Sequence, residues 1–180
     1  AILAARDNHD ALIVIGGDGS LHIALQAIAG SQCPLYVIPM GTGNDFARTN
    51  NDLSTDVDLI LERILREPPQ WIDLGIITVG NQHSWYGQVL STGFDSLVNR
   101  RANQMQRVKG QIKYTIATLL ELPKFKPIRY RISIDGKIIE TDAMLVSVAN
   151  GATYGGGMKI VPDADRHDGL LDVMILKKVS

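Results

Sequence analysis

The sequence predicts an α/β domain followed by a strand-rich, mostly antiparallel domain. Two observations carry that expectation. Up to Arg66, short apolar runs that stop at glycine or proline alternate with segments of helical periodicity. Beyond Pro68-Pro69 strands dominate, one of them with strict alternation of apolar and polar residues. The boundary is therefore expected at that proline pair, giving an α/β segment over 1–69 and a β-rich segment over 70–180.

In chain order, Ala11–Ile15 (ALIVI) runs into Gly16-Gly17 and reads as a buried parallel strand. Leu21, Ala24, Leu25 and Ile28 then recur at helical spacing, and Gly30 stops that helix. Leu35–Ile38 is a second buried strand closed by Pro39. Asn44–Arg48 begins a helix after a glycine turn. Ser54–Arg66 is a third helix, with Ser54 as its expected N-cap and Leu61, Ile64 and Leu65 on one face. Trp71–Val79 and Trp85–Ser91 read as strands. Met105, Val108, Ile112, Ile116 and Leu119 are spaced for a helix that Gly110 interrupts, so the segment is a helical pair or one kinked helix. Ile128, Tyr130, Ile132 and Ile134 alternate with Arg129, Arg131, Ser133 and Asp135, and Asp135-Gly136 makes a hairpin turn. Ala143–Ala149 and Leu170–Leu176 are further strands.

The 180 residues are 45% hydrophobic and 21% charged, which are globular proportions. A net charge of −1 gives no pull toward nucleic acid, and no nucleic-acid partner is expected. The single cysteine, Cys33, makes no internal disulfide, which fits a reducing cytoplasm. No apolar run approaches the roughly 18 residues that span a bilayer, and no signal peptide precedes the first element. Ala1–Arg6 reads as the tail of a helix, and an apolar strand runs straight into Lys177-Lys178-Val179-Ser180. With no initiator Met, both ends are expected to continue in a longer protein.

Charge is uneven. From Ser96 to Arg131 there are nine Lys/Arg (Arg100, Arg101, Arg107, Lys109, Lys113, Lys124, Lys126, Arg129 and Arg131) against one acid, Glu121. Such a run is a solvated face or, beside an amphipathic helix, a docking face for anionic lipid.

Gly16-Gly17-Asp18-Gly19-Ser20 stands between a strand and a helix. Glycines there let the backbone approach a ligand, and the helix start offers N–H donors to a phosphate. No Walker A pattern occurs, and His22 stands where the dinucleotide fingerprint has its third glycine. A carboxylate beside phosphates is repulsive unless a cation lies between, so Asp18 suggests phosphate with Mg²⁺. The alternative is an ordinary strand-to-helix turn with a capping aspartate. Pro39-Met40-Gly41-Thr42-Gly43-Asn44-Asp45-Phe46-Ala47-Arg48 lies at the end of the second buried strand, where open α/β sheets bind ligands. Thr42 and Asn44 are donors there and Asp45 adds a carboxylate, although Asn44 or Asp45 also suits a helix cap. Asp163-Ala164-Asp165-Arg166-His167-Asp168-Gly169 is not a calcium loop, because Asp168 and Met174 fall where an EF-hand needs Gly and Glu.

The GGDGS turn followed by PMGTGNDFAR resembles the diacylglycerol kinase catalytic domain family in its bacterial soluble form, related to sphingosine and ceramide kinases and more distantly to NAD kinases. Asn150-Gly151, Gly155-Gly156-Gly157-Met158, Pro162-Asp163-Ala164 and Asp168-Gly169-Leu170-Leu171-Asp172-Val173 resemble the second domain of the same enzymes. The resemblance implies a three-layer α/β nucleotide-binding domain followed by a β-sandwich domain. It implies that Gly16, Gly17, Asp18, Gly19, Ser20, Leu21 and His22 cradle the phosphates of ATP, with Thr42 also on the nucleotide. Ser20 replaces the usual Thr and His22 an Asn of many bacterial members. Asp18, Asp45 and Asp73 match acids that hold Mg²⁺ through water; alone, Asp73 reads as a strand-end acid. Asp165, Asp168 and Leu170 match the ligands of a second, structural Mg²⁺, the first and last mostly through backbone oxygens; the alternative is an Asp-Gly turn.

The implied activity is transfer of the ATP γ-phosphate to a hydroxyl of diacylglycerol or a similar lipid by a cytoplasmic protein touching the membrane peripherally. A homodimer is compatible with it. The family's base is a Glu beyond these residues, so this stretch alone is expected to be inactive. The competing readings are a sphingoid-base or NAD kinase, and a nucleotide-binding regulator without turnover.

Overall fold

The computed structural model describes residues 11–49, 53–105, 108, 110 and 112–178. The sequence expectation for Ala1–Arg6, and for the last two residues, lies outside that range. The chain divides into two compact units, one of 1–89 with 149–171 and the other of 90–148 with 172–180.

In the first unit β1 (Leu12–Gly16) and β2 (Leu35–Pro39) run parallel, in register from Leu12 opposite Leu35 to Gly16 opposite Pro39. Helix α1 (Asp18–Ile28) connects them and buries Leu21, Ala24, Leu25, Ala27 and Ile28. Leu21, Leu25 and Phe46 form the core, with Leu35, Val37, Ile72 and Leu74 against them. The short α2 (Asp45–Thr49) and then α3 (Val57–Arg66) follow. The cap of α3 is Asp56 and not Ser54: the Asp56 carboxylate accepts the N–H groups of Asp58 and Leu59 at 3.0 and 3.3 Å. Ser54 sits two residues earlier, and its hydroxyl accepts the N–H of Asp56 at 3.2 Å. Both satisfy the pattern of a small polar residue before an apolar run, and only the backbone decides between them.

The hairpin of β3 (Gly75–Val79) and β4 (Gln82–Tyr86) completes this unit with the short β9 (Thr153–Tyr154) and β10 (Met158–Lys159). The expected strand from Trp71 begins only at Gly75. The reason is a claim on its backbone: Asp73 N–H goes to Arg166 O and Asp73 O accepts Asn150 Nδ2, each at 2.7 Å. The expected strand Trp85–Ser91 is likewise split at Gly87-Gln88, whose carbonyls accept Asn150 Nδ2 (3.1 Å) and Asn150 N–H (2.7 Å).

The second unit is antiparallel and strand-rich. Its three-stranded sheet has β8 (Leu145–Ala149) between β11 (Asp172–Leu176) and β5 (Val89–Gly93). Strand β6 (Ile128–Ile134) pairs antiparallel with β7 (Lys137–Ala143) through the turn at Asp135 and Gly136, which have φ of 48° and 79°. Those are the left-handed angles of a two-residue hairpin. Helix α4 (Phe94–Gln104) was not expected from the sequence, because its polar Asn99–Gln104 stretch hides the 94, 97, 98, 102 spacing. After Gly110 at φ 73° comes α5 (Ile112–Glu121), so of the expected pattern Ile112, Ile116 and Leu119 lie on one helix, while Met105 caps the end of α4 and Val108 lies between the two. Val98, Ala102 and Ala117 form the contact between the pair, with Phe94 and Met105 beside them.

Replacing Asp56 by Ala will lower unfolding free energy in urea by about 1 kcal/mol, and Ser54→Ala by a few tenths only. Equal losses would return the cap to Ser54.

Candidate functional site

The parallel pairing of β1 and β2 sets the two glycine turns side by side, and Met40 N–H extends the ladder to Gly16 O at 2.9 Å. The turns then touch backbone to backbone. A Cβ on Gly41 would stand 2.5 Å from Gly17 Cα, and one on Gly17 2.9 Å from Gly41 Cα. Only glycine allows that approach. Asn44, at φ 53°, locks the second turn: its Oδ1 accepts Gly41 N–H and its Nδ2 donates to Gly41 O, both at 2.9 Å.

Helix α1 starts from Gly17 with no side-chain cap. Its first internal bond runs from Leu21 N–H to Gly17 O, and the N–H groups of Asp18, Gly19 and Ser20 have no acceptor among the described residues. A Cβ on Gly19 would meet nothing within 4 Å. These three donors, reinforced by the helix dipole, form an open anion site. Asp18 does not close it, because its Oδ1 turns away to accept Phe46 N–H at 3.3 Å. Leu21 lies in the core, with side chain and N–H both engaged. His22 is exposed beside Gln26, whose amide pairs with the backbone of Trp85. Thr42 is exposed on the second turn.

Asp45 is buried, and both of its oxygens are engaged. Oδ2 accepts Gly156 N–H and Oδ1 accepts Gly157 N–H, each at 2.8 Å. Gly155, Gly156 and Gly157 have φ of 63°, 90° and 106°, a left-handed run that turns successive N–H groups toward one anion. Asp18 Oδ2 and Asp45 Oδ2 lie 2.8 and 3.4 Å from the point where a Cβ on Gly43 would stand. The structure thus brings Asp18 and Asp45 together at Gly43, while Arg48 Nε donates to Gly43 O at 2.8 Å.

Asp73 joins a different segment. Its Oδ2 accepts Gly169 N–H at 2.7 Å, so it anchors the 163–169 loop. In that loop Asp165 Oδ1 accepts His167 N–H and meets His167 Nδ1, both at 3.0 Å. Those two bonds hold the Asp165 carboxyl below the usual aspartate value. Asp168 Oδ1 accepts Leu170 N–H at 2.9 Å. Among the described residues no three His, Cys, Asp or Glu side chains converge on one point. A cation at Asp165, Asp168 and Leu170 would therefore draw on backbone carbonyls. Near the glycine turns Asp18 fits a cation better than Asp45, since no hydrogen bond among the described residues engages its Oδ2.

Sequence reasoning gave no role to Arg166, which is only 2% exposed. Its guanidinium lies 4.5 Å from the centre of the Phe46 ring, and burial pushes its pKa down to about 10, still cationic at neutral pH. An arginine in a run of polar residues reads as exposed, so nothing in the sequence marked it. Gly155-Gly156-Gly157 did carry a signal, because three consecutive glycines are a backbone demand.

Residues 1–77 match the diacylglycerol kinase catalytic domain family. Residues 88–180 match the YegS C-terminal NAD kinase beta sandwich-like domain family. A diacylglycerol kinase of Mycobacterium tuberculosis (strain ATCC 25618 / H37Rv) is 42% identical over 179 residues, which is 98% of this chain and 58% of that protein. A diacylglycerol kinase of Bacillus subtilis (strain 168) is 29% identical over 180 residues, again 98% of this chain and 58% of that protein. The crystal structure of a diacylglycerol kinase from Bacillus anthracis str. Sterne is similar with a TM-score of 0.70 at 26% identity, covering 97% of this chain and 56% of that one. The chain spans about 58% of the length of these curated relatives.

Asp45→Asn removes one of two acceptors and leaves an N–H of Gly156 or Gly157 unpaired. It will cost about 1–3 kcal/mol and speed hydrogen exchange at those two amides. Exchange unchanged at both would show that the carboxylate does not hold the glycine run.

Proposed function

We propose that this chain, which belongs to the diacylglycerol kinase family with a YegS-type second domain, is the nucleotide-binding part of an ATP-dependent lipid kinase. The reaction is transfer of the γ-phosphate of ATP to a hydroxyl of diacylglycerol or a similar lipid, giving phosphatidic acid or its analogue. The observation that carries it is the set of bare N–H groups on Asp18, Gly19 and Ser20 beside the unengaged Asp18 Oδ2. Three donors suit phosphate oxygens, and a carboxylate next to them suits the cation that accompanies ATP.

Phosphoryl transfer needs positioning and charge neutralisation more than covalent help from the protein. The backbone of Gly16–Ser20 binds and orients the phosphates, and Thr42 meets the nucleotide from the second turn. Asp18 would hold Mg²⁺ beside the phosphates, with Asp73 as the further acid of the set. The ion would supply neutralisation of the phosphate charge. Asp45 acts on the site by fixing the Gly155–157 run and Gly43. The lipid hydroxyl attacks the γ-phosphorus, the bond to the bridging oxygen breaks, ADP departs, and the hydroxyl proton passes to a base. That base is assigned to no residue of this chain. Asp165, Asp168 and Leu170 would hold a structural Mg²⁺ that would tie the loop anchored by Asp73.

The test is the full-length protein with labelled ATP against diacylglycerol, a sphingoid base and NAD. Asp18→Asn keeps the acceptor for Phe46 N–H and removes the charge. It will leave the thermal melt unchanged and lower lipid phosphorylation at least about a hundredfold. NADP formation without lipid phosphorylation would overturn the lipid reading. ATP binding without any transfer would leave a regulator, and wild-type turnover in Asp18→Asn would refute its role with the cation.

A further inference from the structure

We propose that the outward face of α5, with the 3-10 turn Leu122–Lys124 that follows it, docks on the surface of an anionic lipid bilayer. The inference rests on the reading above that the acceptor is a lipid, and it names where the chain meets the bilayer that holds it.

Helix α5 is apolar on both sides. Ala117 faces Val98 and Ala102 of α4 and is fully buried. On the opposite side Ile112 and Leu119 are 61% and 68% exposed, and Leu122 in the following turn is 50% exposed. Their spacing of seven and three residues, with Ile116 half-buried between, makes one stripe along the helix. A surface helix ordinarily turns polar residues outward there.

The charges around the stripe select the partner. The basic run read from the sequence does not survive whole in the fold. Arg129 and Arg131 stand opposite Asp142 and Glu140 across the β6–β7 ladder and pair with them at 3.3–3.6 Å. Arg101 pairs with Glu121 at 3.4 Å. Arg107 and Lys109 lie outside the described residues. What stays unneutralised is Arg100 on α4, Lys113 on α5 and Lys124 and Lys126 beside Leu122, none with an acidic partner among the described residues. Lys113 Nζ rests 5.0 Å from the centre of the Tyr114 ring. Of these, Lys124 and Lys126 adjoin the apolar stripe at Leu122, whereas Arg100 stands with Arg101 and Glu121 at the seam of α4 and α5. Apolar side chains with unpaired lysines at their end match a bilayer with anionic headgroups. They oppose a second copy of the same face, where like charges would meet.

The experiment is co-flotation of the 180-residue chain with vesicles of phosphatidylcholine containing roughly 30 mol% phosphatidylglycerol and with pure phosphatidylcholine, at physiological salt. The chain will bind the first and not the second. Leu119→Ser with Leu122→Ser will lower partitioning at least about tenfold. Lys124→Gln with Lys126→Gln will lower it about fivefold for each lysine removed. These side chains are exposed, so the melts of both variants will match the parent. Variants that bind as the parent does would overturn the proposal. So would a parent that ignores phosphatidylglycerol, or one that self-associates through the stripe. Vesicle binding without lipid phosphorylation by the full-length protein would sink the kinase reading and leave the docking surface standing. Phosphorylation of a short-chain, water-soluble diacylglycerol, together with variants indifferent toward vesicles, would do the reverse.

Discussion

The first unit depends on one close approach, the contact between the backbones of Gly17 and Gly41. Parallel pairing of β1 and β2 brings the two turns level, and the absence of two side chains lets them meet. Everything that makes an anion site follows from it. Asn44 can clasp Gly41 only in that turn, Asp18 can reach Phe46 N–H only if the turns are adjacent, and α1 then starts with its first donors bare. A methyl group at either glycine would push the turns apart by more than the side chains around them can absorb.

A second constraint works through carboxylates used as fasteners. Asp45 grips the N–H groups of Gly156 and Gly157, and Asp73 grips that of Gly169, so distant sequence is drawn to β2 and to the segment before β3. Charge is spent on backbone donors there: both oxygens of Asp45 are engaged, whereas among the described residues Asp18 and Asp73 each keep one oxygen outside any hydrogen bond. Acids that look alike in the sequence thus differ in what they can still do. Arg166, packed on Phe46, carries a positive charge into the same unit.

The glycine turns, the parallel strands and the β6–β7 hairpin were legible because each is a local backbone demand written in residue type. The placement of Asp18 and Asp45 beside those turns was read from the residues for the same reason, and the family resemblance added Asp73 and the set at Asp165, Asp168 and Leu170. What escaped was long-range. The starts of β3 and β5 depend on Asn150, whose side chain takes the carbonyls of Asp73 and Gly87 from some 63 to 77 residues away. The burial of Arg166 depends on Phe46, and the loss of the basic face at Arg129 and Arg131 depends on acids that the next strand brings opposite. Composition counts charges, whereas register decides which of them remain.

The most direct measurement is an amide-resolved NMR titration of MgATP into the chain and into Gly41→Ala. In the parent the amides of Asp18, Gly19 and Ser20 will shift with the nucleotide, and in Gly41→Ala the fold will persist while those three shifts fall at least about tenfold at equal nucleotide. Amides 18–20 that stay still while others respond, or an alanine variant that responds as the parent does, would contradict the account.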